Sequence, residues 1–75
     1  MKHGFHVGQR LRLRKHDVRV AVVCDVREEQ LGIRGPIVDC LKRGEILNIN
    51  RLPFYVKRKG RQYAELEAFA PRMLK

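Results

Sequence analysis

From Val7 to Arg14 the chain reads VGQRLRLR, with Leu11 and Leu13 on one side of an extended backbone and Arg10, Arg12 and Arg14 on the other. A period of two is what a strand with one buried face requires. After KHD, the run VRVAVVCDV is dense in β-branched residues and predicts a second strand, with Val18, Val20 and Val22 sharing a face. The polar segment REEQLGIRGP carries Gly32 and Gly35, a composition that predicts a turn. PIVDCLKRG fits two forms. As a strand it sets Val38 and Cys40 opposite Ile37, Asp39 and Leu41; as a helix it begins at Pro36, groups Ile37, Cys40 and Leu41, and ends at Gly44.

EILNI predicts a short strand, and in the next one Leu52, Phe54 and Val56 alternate with Pro53, Tyr55 and Lys57. Pro53 has no N–H to donate, which assigns it to a strand start or an edge. Gly60 then turns the chain into RQYAEL. Leu66, Phe69, Ala70 and Met73 have helical spacing that Pro71 interrupts, so a strand passing into a short helical turn is expected near the C-terminus. Together these signals describe a mostly β fold of one domain over residues 1–75, with residues 1–6 a loose N-terminus. About five short strands with glycine turns make a small SH3-like or OB-like barrel. Leu11, Leu13, Val20, Val22, Ile37, Leu52, Phe54 and Val56 are its expected core, and Gly32, Gly35 and Gly60 its turn residues.

The length of 75 residues limits what such a barrel can do. A chain this short buries only about 60% of the surface it exposes unfolded, which leaves little room for a deep cleft. Serine and threonine are absent, so there is no hydroxyl nucleophile of that kind, and neither cysteine has a basic or histidine neighbour in sequence. Cys24 and Cys40 form no C-x-x-C pair and are expected as buried, reduced thiols. His3 and His6 make an H-x-x-H near a terminus, with His16 farther on, short of the fixed three- or four-ligand set a metal site needs. Glu28 with Glu29 and Glu65 with Glu67 read as solvated carboxylates rather than acid/base pairs. The sequence has no 18-residue apolar run, and MKHGFHVGQRLRLRK is too polar for a signal peptide. A soluble, cytoplasmic protein that does not contact membranes is the expectation.

Charge changes the picture most. Net charge is +9, and it is unevenly spread: residues 1–24 hold six basic and one acidic side chain, residues 25–50 four and five, residues 51–75 seven and two. Fields of this kind draw in acidic partners and say nothing about the fold. Arg10, Arg12 and Arg14 lie along one predicted strand face, while Lys57, Arg58, Lys59 and Arg61 surround Gly60; Asn50, Arg51 and Tyr55 complete a candidate partner-binding set. One reading makes the set a nucleic-acid surface, with phosphate contacts from the cations and stacking on Tyr55, Tyr63 or Phe54. A variant of it takes residues 27–43 as a helix-turn-helix and RLPFYVKRKGRQY as a wing, similar to small excisionase-like DNA binders. That version needs its first helix from VRVAVVCDV, a segment with strong β preference.

The order of signals also resembles the variable (alpha) chain of ferredoxin-thioredoxin reductase. VGQRLRL, Val7 to Leu13, stands where that family has a V-G-x-R-x-R-V-like strand. GIRGPI, Gly32 to Ile37, stands at its G-x-x-G-x-I turn, and Gly44 followed by LNINRLPFYV, Leu47 to Val56, at its glycine and I-S-A-N-L-P-F-x-V segment. Arg51 is an insertion relative to that segment, the last strand has AEL at Ala64 to Leu66 where the family commonly has Ala-His-Leu, and the tail is longer. The resemblance covers most of residues 7–66. It implies an SH3-like barrel without a cofactor of its own, packed as a heterodimer on a catalytic chain that carries a 4Fe-4S cluster and a redox disulfide. That catalytic chain passes electrons from ferredoxin to thioredoxin, in the cytoplasm or, for a photosynthetic eukaryote, in the plastid stroma.

Overall fold

The computed structural model describes residues 4–69. The strands form a single antiparallel sheet: β1 (Arg10–Arg12), β2 (Val20–Val26), β3 (Gln30–Arg34), β4 (Ile46–Ile49), β5 (Leu52–Gly60) and β6 (Tyr63–Ala68). A 3₁₀ turn, Pro36–Cys40, lies between β3 and β4. The order across the sheet is β1-β2-β3-β6-β5-β4. The sheet curls into a half-barrel, so the mostly β, barrel-like fold expected from the alternation is present with one strand more than the pattern indicated. Its concave side holds the core, and no polar or charged residue among those described is buried.

Register explains which side of β2 faces inward. Leu11 pairs with Ala21, and directly opposed residues share a face, so burial of Leu11 carries Ala21 and Val23 inside with it. Val20 and Val22 therefore point outward, which corrects their assignment to the core. Gly35 packs against this strand: its φ is +147°, and a Cβ there would sit 3.3 Å from the Val20 carbonyl oxygen. The small side chain of Ala21 belongs to the same close approach.

REEQLGIRGP is a further correction, because its middle is β3, a strand flanked on both sides, by β2 and β6. Leu31 and Ile33 face the core. Gly32 lies between them on the outer face, where a Cβ would meet the Tyr63 hydroxyl at 3.3 Å and Asp25 Cβ at 3.1 Å. It is a strand residue covered by a tyrosine, not a turn residue. Since β2 and β3 are strands, the helix-turn-helix reading of residues 27–43 is excluded. The ambiguous PIVDCLKRG resolves as the 3₁₀ turn with Pro36 at its start and Ile37 and Val38 buried.

The β4–β5 hairpin turns on Asn50 and Arg51, both with positive φ (51° and 70°), the signature of a type I′ connection. At the other end of β5 the left-handed residue is Gln62 (φ 53°), not Gly60, which ends the strand. Pro53 occupies the second position of β5, as its missing N–H requires. β6 continues as a strand through Ala68, with Leu66 inward, so the first of the residues with helical spacing belongs to the strand; Ala70 and Met73 of the expected helical turn lie outside the described residues. In the N-terminal segment Phe5 is buried and meets Phe54 edge to face, ring centroids 5.7 Å apart. No helix among the described residues is long and apolar enough to cross a membrane.

Candidate protein-docking face

Bulges decide where the basic side chains go. β5 shifts register between Val56 and Arg58, so Lys57 is the extra residue and the alternation reverses beyond it. Lys57 and Arg58 are both exposed, while Lys59 opposes inward-facing Ala64. The Lys59 ammonium donates to the Leu41 and Asp39 carbonyls of the 3₁₀ corner. The same corner holds the hairpin tip, through Gly35 N–H to the Gln62 carbonyl (3.0 Å) and Gln62 N–H to Asp39 Oδ1 (2.8 Å). Lys59 is thus committed to the fold.

The other members of the candidate set are also dispersed. Lys57 pairs with Glu67 at 3.4 Å and Arg58 with Glu65 at 3.8 Å across β5 and β6. Tyr55 donates its hydroxyl to Glu67 Oε1 (3.0 Å) and sets its ring edgewise against Phe69. That bond to a carboxylate, with some desolvation, pushes the Tyr55 phenol above its usual range. Arg12 donates to the Asp17 and Lys15 carbonyls at 3.3 and 3.5 Å, bracing the β1–β2 loop. Arg14 reaches Glu45 Oε2 at 2.7 Å. Asn50 and Arg51 lie at one end of β5 and Arg61 at the other, about 27 Å apart for a nine-residue strand. The ten residues do not form one surface.

A different constellation is continuous across the sheet. Arg10 opposes Val22, Val22 opposes Arg34, and Arg34 opposes Tyr63. The Arg34 guanidinium lies 5.5 Å from the Tyr63 ring centroid, a cation–π distance. Burial first, and the charge of Glu65 second, pushes the Tyr63 phenol up. Beside this row Val18 is 81% exposed, with Val20 at 38% and Val22 at 39%. Asp17 and Arg19 next to them pair at 2.6 Å, and the hydrogen bonds from Arg19 hold the Asp17 carboxyl down at about 2. That pair cancels its own charge, which leaves Arg10 opposite Val22, Arg12 opposite Val20, and Arg34 as the cations flanking an outward valine stripe. Of this row, sequence reasoning selected Arg10 as a partner contact and Tyr63 as a stacking platform. The signal for the rest was the parity fixed by Leu11 opposite Ala21, which sends Val20 and Val22 outward.

The groups with chemical potential stand apart. Cys24 and Cys40 are unpaired, but Cys24 is half-buried and Cys40 exposed, so neither is the buried thiol expected. Cys40 Sγ accepts a contact from the Arg19 guanidinium at 3.7 Å. His6 and His16 are exposed, His3 lies outside the described residues, and no cluster of three His, Cys, Asp or Glu among the described residues has a metal-holding arrangement. Glu28 and Glu29 are exposed. The chain matches no protein-family model, no curated protein and no solved structure.

Proposed function

We propose that this chain is a non-catalytic barrel subunit that docks on an acidic partner protein through the outer face of β2. The observation that carries this reading is the valine stripe of Val18, Val20 and Val22 with Arg10 and Arg34 at its margin. An apolar centre with a charged rim is how protein interfaces are built. The cations give the rim a sign and hence an acidic partner. The resemblance to the ferredoxin-thioredoxin reductase variable chain supplies the partner class: a catalytic chain with a 4Fe-4S cluster, which this subunit stabilises while electrons pass from ferredoxin to thioredoxin. Nucleic acid is the less favoured partner. Lys57 and Arg58 are ion-paired, Lys59 is engaged by carbonyls and the Tyr55 hydroxyl is bound to Glu67, so phosphate and base would compete with existing contacts.

The test is co-expression with a cluster-carrying iron–sulfur catalytic chain from the same genome, using the wild type and a Val20→Asp/Val22→Asp double variant. A stable heterodimer that retains the cluster's visible absorption is expected for the wild type. The double variant should keep its circular dichroism spectrum and lose at least about tenfold in affinity. A complex indifferent to the double variant, or steeply salt-dependent binding to labelled DNA or RNA in place of the heterodimer, rejects the reading.

A further inference from the structure

The half-barrel leaves two strand edges open, and they differ. β1 is three residues long and carries Arg10 and Arg12. β4, ILNI, carries no charge and no proline, and Ile46 on it is 54% exposed. Natural edges are usually blunted by charge, proline or a covering element. Within β4 none of these is present.

Backbone direction can be read from the hairpin. Val56 N–H donates to the Glu45 carbonyl at 2.9 Å. Hydrogen-bonded and non-bonded pairs alternate along an antiparallel ladder, so Leu47 and Ile49 bond toward β5. The N–H and C=O groups of Ile46 and Asn48 then project from the free edge. A groove of about 570 Å³ runs between this edge and the end of β1, with Arg12 and Lys15 on its far side. A second hollow, lined in part by Lys42 and Arg43, lies on the other side of the Arg14–Glu45 ion pair. The groove thus offers unbonded strand amides beside cations.

From this we infer that the β4 edge is a strand-addition site for an extended acidic peptide segment, a role separate from the β2 face. The main chain of the peptide bonds to Ile46 and Asn48, as in other strand-addition complexes. Its acidic side chains are drawn by Lys15, Lys42 and Arg43. Charge selects this occupant over a second copy of the chain, because edge-to-edge pairing of two β4 strands would bring two sets of these cations together.

A fluorescein-labelled octapeptide alternating Glu and Val is the probe, titrated with the intact chain while amide exchange is followed by NMR. Saturable binding is expected, with the Ile46 and Asn48 amides becoming protected from exchange. N-methylation of the peptide amides facing β4 should weaken binding about tenfold or more, and methylation of the alternate set only slightly. A Lys15→Glu/Lys42→Glu variant should also lose about tenfold. No binding up to about 1 mM overturns the assignment. So do equal losses from both methylation sets, unprotected Ile46 and Asn48 amides, displacement of the peptide by a single-stranded oligonucleotide at matched charge, or a dimer formed through β4 without peptide.

Discussion

Val22 and Val23 are adjacent, identical in chemistry and in the same strand, yet one is 39% exposed and the other 1%. Val23 opposes Ile33 on the wholly apolar concave side, whereas Val22 lies between Arg10 and Arg34 on the convex side. What separates them is parity alone, fixed by a register in which Leu11 faces Ala21. The difference teaches that burial, and with it stability, resides on one face of this sheet, which leaves the other as the face proposed for docking. The sharpest way to break that division is one substitution made on both faces. Val23→Asp places an uncompensated charge in the core and should cost about 3–5 kcal/mol, a large share of the roughly 4–11 kcal/mol available to a domain of this length. Val22→Asp should stay within about 0.5 kcal/mol. Urea denaturation of both variants reads the contrast, and similar midpoints would refute it.

The inner face has its own demand, smaller in size. Gly35 and Gly44 both hold left-handed backbone, at φ +147° and +86°, but a Cβ on Gly44 meets nothing within 4 Å while one on Gly35 presses on the Val20 carbonyl and Ala21. Gly44→Ala should therefore cost only the backbone strain, about 1 kcal/mol. Gly35→Ala adds overpacking against β2 and should reach about 2–3 kcal/mol. Thermal unfolding distinguishes them, and equal losses would mean that the corner yields without disturbing β2.

How much of this was legible in the sequence follows from what each signal encodes. Alternation in VGQRLRL and LPFYV located inward-facing Leu11, Leu13, Phe54 and Val56, because period two is a local property. In VRVAVVCDV apolar residues occupy both parities, so the choice of face waited on a cross-strand partner that local reading cannot supply. β3 was hidden by Gly32, a strand residue whose outer side is approached by the Tyr63 hydroxyl from β6, a contact that local reading cannot supply. The basic cluster KRKGR looked like one surface because charge is visible and a bulge is not. The extra residue at Lys57 reverses the alternation, sending Lys59 to the 3₁₀ corner while Arg58 stays out. The valine face and the open β4 edge were illegible for the same reason: both are properties of how strands are arranged.

The convex face itself divides into a valine half and an ion-paired half, and titration can sharpen that boundary. Tyr55 donates to Glu67, which also receives Lys57. A phenolate beside a carboxylate is disfavoured, so the Tyr55 pKa is raised in the folded chain above 10.0. With the folded value above the unfolded one, this interaction's contribution to stability is fully present below about pH 10 and is lost as pH rises through the folded value. Glu67→Gln removes the charge and keeps an acceptor, so Tyr55 should titrate closer to its ordinary value. Tyr63, raised first by burial and then by Glu65, should keep its shift. Ultraviolet absorbance of the phenolates, with Tyr55→Phe to assign the steps, reads both residues at once. A joint shift of the two tyrosines would mean that the halves of the convex face are electrostatically one surface, and the valine stripe would then lose its claim to a separate, cation-rimmed identity.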